Sequence, residues 1–109
     1  MTPYTIRTDD PEFVLVTWSD RVPGPRIDDE RALAALIRGG KPVLFDFSAT
    51  RVIGTRWLRL MQRLTISADE MGKELLVVGL DAVLSAKADL IAIKGDLHVY
   101  ATVEEARRR

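Results

Sequence analysis

The sequence contains no cysteine and a single histidine, His98. The first absence removes disulfides, thiol nucleophiles and cysteine metal sites, and the second leaves Ser-His-Asp or Cys-His catalysis little to work with. His98 itself lies between Leu97 and Val99 and reads as a partly exposed strand residue. Net charge is missing as well. Sixteen basic and 16 acidic side chains cancel, so no global field draws the chain to nucleic acid or to an anionic membrane. Any charge-driven binding must be local. No run approaches the roughly 18 apolar residues of a membrane span, and the opening Met-Thr-Pro-Tyr-Thr-Ile-Arg-Thr-Asp-Asp has no apolar signal core. A cytoplasmic protein without membrane insertion is the expectation. The glycines form neither a phosphate-binding loop with its Lys-Ser/Thr nor a three-glycine dinucleotide fingerprint, so no cofactor is expected.

The 109 residues, 47% hydrophobic and 29% charged, suit one compact domain spanning 1–109, with no repeat, low-complexity segment or linker. Tyr4 to Arg7 and Phe13 to Trp18 read as strands joined by the turn-forming Thr-Asp-Asp-Pro-Glu, an N-terminal hairpin. Trp18 ends its strand beside Ser19-Asp20, a place open to exposure. After Pro23-Gly-Pro25, Leu33, Leu36 and Ile37 recur at helical spacing across Ile27 to Arg38, with Asp28, Asp29 and Glu30 in the first turn and Gly39-Gly40 as a stop. Val43-Leu-Phe-Asp-Phe47 is a nearly continuous apolar strand. A second helix starts near Thr55 or Arg56, with Trp57, Leu60, Met61 and Leu64 as its apolar stripe and Leu58 at the edge. Glu74 to Gly79 holds the next strand. A helix from about Asp81, its cap, to Ile91 turns Val83, Leu84, Ala88 and Ile91 inward, and Leu97 to Tyr100 returns as a strand. Thr102 and Glu105 form a capping-box signature for a terminal helix. The fold class is α/β: a hairpin, then alternating helices and strands in a small mixed sheet with a largely parallel core and helices packed on it.

Carboxylates allow one enzyme-like arrangement. A phosphoreceiver domain gathers acids around Mg²⁺ near a lysine, and Asp9, Asp10, Asp46 and Lys94 are the available groups. Asp46 lies inside its strand run, however, and the chain is short of the five βα units of that fold. It reads as a hydrogen-bonded strand or loop acid.

The segment Leu44-Phe-Asp-Phe-Ser-Ala-Thr-Arg-Val-Ile-Gly-Thr-Arg-Trp-Leu-Arg-Leu60 resembles the signature of STAS domains, a family that includes bacterial anti-sigma factor antagonists. That signature is an apolar strand ending in Asp-Leu-Ser, a short connection, an apolar residue, and Asp-Ser-Ser/Thr-Gly-Leu opening a helix. Leu76-Val-Val-Gly79 and Leu97-His-Val-Tyr-Ala-Thr-Val-Glu-Glu-Ala106 continue the likeness, which spans about residues 12 to 106. Asp46 and Ser48 match the strand-end Asp and Ser, Ile53 the apolar residue, and Thr55 the position of the phosphorylated serine or threonine. Gly54 stands in place of the aspartate, and Arg56 and Trp57 in place of Ser/Thr-Gly. The resemblance implies that the missing aspartate helps a partner kinase engage the loop and that the missing glycine keeps the helix start slim for docking.

Thr55 then carries two readings: a helix N-cap worth roughly 1 kcal/mol, or a cap that is also phosphorylated, adding about two negative charges to a docking surface. Arg56, Arg59 and Arg63 share one helix face opposite the apolar stripe, with Arg51 near its start. That face is either solvated or a basic strip for an acidic groove on a protein partner. Trp57 is core or contact anchor, with core favoured by its place in the stripe. The expectation is a non-enzymatic interaction module that binds a kinase-like anti-sigma factor through residues 54–63. The alternatives are a constitutive STAS subunit of an ABC-type lipid transport ATPase or a stressosome-like scaffold, a homo-oligomer among them, and a small-ligand carrier or enzyme.

Overall fold

The computed structural model describes residues 2–90 and 94–109. Tyr4–Arg7 (β1) and Val14–Trp18 (β2) pair antiparallel with Tyr4 opposite Trp18, as the hairpin pattern predicts. Asp10 shapes the turn between them, its Oδ1 accepting the amides of Glu12 at 2.8 Å and Phe13 at 3.0 Å. Arg21–Val22 (β3) leads to helix α1, Ile27–Arg38, whose bounds match the sequence reading. Asp29 folds back so that its Oδ2 accepts the Arg26 amide at 2.9 Å, satisfying a donor just before the helix. Val43–Asp46 (β4), Val52–Ile53 (β5) and the long helix α2, Thr55–Glu70, follow. Leu75–Val78 (β6), Ala82–Leu90 (α3), a 3-10 turn at Lys94–Asp96, His98–Tyr100 (β7) and Val103–Arg107 (α4) complete the order.

The main sheet runs β1-β2-β4-β6-β7, and every pair after the hairpin is parallel. Parallel strands need cover on both faces, and the pleat divides the apolar runs accordingly. Val43, Phe45, Leu75 and Val77 face a core that holds Leu33 and Ile37 of α1, Trp57, Leu60, Met61, Leu64 and Ala68 of α2, and Leu84 and Ala88 of α3. Leu44, Leu76 and Val78 face the other side, with Phe13 and with Ala106 of α4. The α4 segment is held there by charge. Arg107 and Arg109 place their guanidiniums over the Phe13 ring, 5.3 and 5.2 Å from its centroid. Arg107 reaches Asp10 at 2.5 Å, and Arg109 reaches both Glu74 and Glu12 at 2.8 Å. Thr102 caps α4 by accepting the Glu105 amide at 3.2 Å, and Glu105 in return accepts the Ala101 amide at 2.9 Å.

Several expectations need correction. Trp18 is 1% exposed, not open at the strand end. It stacks on Phe47 at 5.2 Å and meets Trp57 edge-on at 4.7 Å, because the hairpin turns its side chain towards the helices. Val83 is 71% exposed, so α3 points Leu84 and Ala88 inward without it. Ile91, expected inward on the same helix, lies outside the described residues, as does the side chain of Lys94. The short parallel pair β3·β5 has no counterpart in the sequence pattern. Two-residue strands carry no periodicity to read.

Candidate functional site

The junction between β5 and α2 is fastened from below before any exposed residue is placed. Asp20 offers its carbonyl to the amides of Arg51 and Val52, at 2.8 and 3.1 Å, and Thr50 donates its hydroxyl to the Ser19 carbonyl at 2.8 Å. Asp46 accepts both the amide and the hydroxyl of Ser48, at 2.9 and 2.5 Å, which makes it the hydrogen-bonded acid its position suggests. Ile53 is buried, and its carbonyl accepts the Lys87 ammonium of α3 at 2.6 Å.

Gly54, not Thr55, is the N-cap of α2. Its backbone is extended, at φ −77° and ψ 154°, and its carbonyl accepts the first helical amides from Trp57 and Leu58. Thr55 is therefore the first helical residue, one position past the one whose side chain accepts the free amides of the first turn. It is exposed, and among the described residues its hydroxyl makes no hydrogen bond. The capping expectation for Thr55 fails for this reason.

Trp57 is 1% exposed and belongs to the core. Its indole N–H donates to the Pro23 carbonyl, tying the Pro23-Gly-Pro25 loop to the start of α2. That loop delivers α1, so the bond sets the N-terminal ends of α1 and α2 side by side. Between them lies an open groove of about 440 Å³ walled by Arg56, Arg59 and Arg63 on one side and by Arg26, Ile27 and Glu30 on the other. The three arginines predicted to share a face do so. Arg51 stands apart, 3.7 Å from Asp20. Arg63 lies 3.7 Å from Glu30. Arg26 was not singled out from the sequence, since nothing local pairs it with a helix thirty residues away.

Among the described residues, no group of three or more His, Asp or Glu is placed to hold a metal ion. His98 is a strand residue whose Nε2 lies 2.9 Å from Asp69 Oδ1 on α2. No helix is long and apolar enough to cross a membrane among the described residues.

No family model and no curated protein sequence matches the chain. Solved structures do. The anti-sigma factor antagonist SpoIIAA in its unphosphorylated form superposes with a TM-score of 0.76 at 11% identity, over 97% of this chain and 94% of that one. An anti-sigma-factor antagonist (STAS) domain protein from Planctomyces limnophilus gives 0.76 at 16% identity, over 97% and 95%. The murine anion transporter Slc26a9 gives 0.61 at 10% identity, over 93% of this chain but 18% of that one. The chain thus has the fold of STAS domains, in common with structures with which it shares little sequence.

Proposed function

We propose that the chain is a non-enzymatic protein-interaction module of bacterial regulation, which binds a kinase-like anti-sigma factor through the junction at Gly54 and Thr55 and through Arg56, Arg59 and Arg63. The observation that carries this reading is the exposed Thr55 hydroxyl at the start of α2, free of any structural bond among the described residues. A hydroxyl with no cap to make is open to a kinase. A phosphate there would lie at the positive end of the helix dipole and add about two charges to the surface that meets the partner. The fold shared with SpoIIAA supports the comparison at the level of architecture.

A second reading, a constitutive subunit of an ABC-type transport ATPase or of a scaffold built from copies of the chain, is favoured by the rigidity of the junction. Trp57 is bonded to Pro23 and Lys87 to Ile53, so the docking point is built in one arrangement. Capture from host lysate with immobilised protein separates the two. The antagonist reading expects a kinase-like anti-sigma factor, lost with Arg56→Glu/Arg59→Glu and released by Thr55→Glu. Stable capture of a transport ATPase that ignores Thr55→Glu supports the subunit, and a kinase with ATP that labels residues other than Thr55 removes the switch.

A further inference from the structure

The arginines of α2 do not form a flat strip, because α1 supplies the facing wall of a groove. The chain is neutral overall, yet this groove gathers Arg26, Arg56, Arg59 and Arg63 against Glu30 alone. Among the described residues only Arg63 of the four has an ion-pair partner, and that partner is Glu30, with both side chains about half exposed at 61% and 47%. Ile27 stands on the rim at 70% exposure.

The seam between the helices then changes character. Both helices run in the same direction, since Arg26 and Ile27 meet Arg56 and Arg59 at one end while Ile37 and Arg38 meet Leu64 and Met71 at the other. At that far end a hollow of about 70 Å³ is lined by Ala34, Ile37, Arg38, Leu64, Ser67 and Met71, with Met71 45% exposed. The rise of a helix places Ser67 roughly 12 Å beyond Arg59. An extended segment covers that distance in about four residues.

We infer that the α1–α2 groove binds a segment of a protein partner that carries a cluster of carboxylates and, about four residues away along the chain, one aliphatic side chain. The inference rests on the reading of the chain as a protein-interaction module and extends its site from one helix to two. The carboxylates pair with Arg26, Arg56 and Arg59, and the aliphatic group enters the hollow beside Leu64 and Met71. Glu30 stands in for a partner carboxylate at Arg63 and gives way when the segment binds. Charge complementarity selects an acidic ligand. Two features favour a peptide over nucleic acid: the largely apolar end of the seam, and the absence, among the described residues, of any aromatic from the exposed large hydrophobic side chains, which leaves no platform for stacked bases.

The test uses a fluorescein-labelled peptide with three glutamates, a three-residue Gly-Ser spacer and a leucine, together with its reversed order, a version with serine for leucine, inorganic tripolyphosphate and a thymidine oligonucleotide. Fluorescence anisotropy should show saturable binding of one peptide order, weakened about tenfold or more by Arg26→Glu and by Arg59→Glu, and tightened about threefold by Glu30→Gln. The serine version should bind several-fold more weakly. Circular dichroism confirms that each variant is folded, and Arg59→Lys, which keeps the charge, should retain much of the binding. Tighter binding of tripolyphosphate or oligonucleotide than of peptide overturns the inference. Binding that survives Arg26→Glu but not Arg59→Glu overturns the groove while leaving the α2 face as the docking surface. If no acidic peptide binds the wild type, the groove reading fails on its own, and capture of the kinase-like partner still decides the broader one.

Discussion

Gly79 passes so close to Ser48 that a Cβ on residue 79 would lie 2.5 Å from the Ser48 Oγ and 2.6 Å from its amide nitrogen. Gly79 also has φ +80°, in the left-handed region that favours glycine. The two facts have one cause: β6 must end and turn sharply beneath the loop that leads to the junction. Gly79→Ala should therefore cost roughly 2–4 kcal/mol, from left-handed strain and from displacement of backbone that cannot yield cheaply. Urea unfolding followed by the fluorescence of Trp18 and Trp57 measures it. Full rescue by Ser48→Ala would show that only the side chain was in the way, against the backbone approach described here.

Gly54 presents the opposite case. A Cβ there meets nothing within 4 Å, and its φ of −77° suits any residue. Glycine is not required by the fold at this position. Gly54→Asp should raise stability by roughly 0.5–1 kcal/mol, through a side-chain cap, the helix dipole and a less flexible unfolded chain. A loss in the urea midpoint would mean that residue 54 does not cap α2.

Two threonines at helix starts separate capping from mere position. Thr102 accepts the Glu105 amide, whereas Thr55 accepts none among the described residues. Thr102→Ala should cost about 1 kcal/mol, and Thr55→Ala should stay within about 0.5 kcal/mol of wild type. Equal losses at the two sites would contradict the assignment of Gly54 as the cap.

Acid should loosen α4 first. Asp10 is held well below the usual carboxylate range by the Arg107 guanidinium and by the amides of Glu12 and Phe13, and Arg109 lowers Glu74 in the same direction. A carboxylate depressed in the folded state adds stability that is complete above its unfolded value, near 4 for these groups, and that is lost as pH falls below it. Unfolding midpoints should thus hold from pH 7 to about 5 and fall between about 4 and 2. Asp10→Asn should lower the midpoint at pH 7 and flatten the acid limb. An unchanged acid limb in this variant would show that the Asp10–Arg107 pair does not drive the transition.

Periodicity made the order of elements legible. The apolar run after Pro42 and the stripe from Trp57 to Leu64 each report a face that must be buried, the turn residues after Arg7 mark the hairpin, and each of these elements appears where its pattern lies. The neutral charge balance and the spacing of Arg56, Arg59 and Arg63 likewise stood in the sequence, because both depend only on residue type and local geometry. Other features arise only when distant segments meet. The burial of Trp18, the placing of Arg26 opposite Arg59, the grip of Arg107 and Arg109 on Phe13, Glu12 and Glu74, and the shift of the α2 cap from Thr55 to Gly54 are of this kind. A local pattern states that a side chain needs a partner or a cover. Which partner it finds depends on the path of the backbone between them, and here that path turns on contacts such as Trp57 with Pro23 and Gly79 with Ser48.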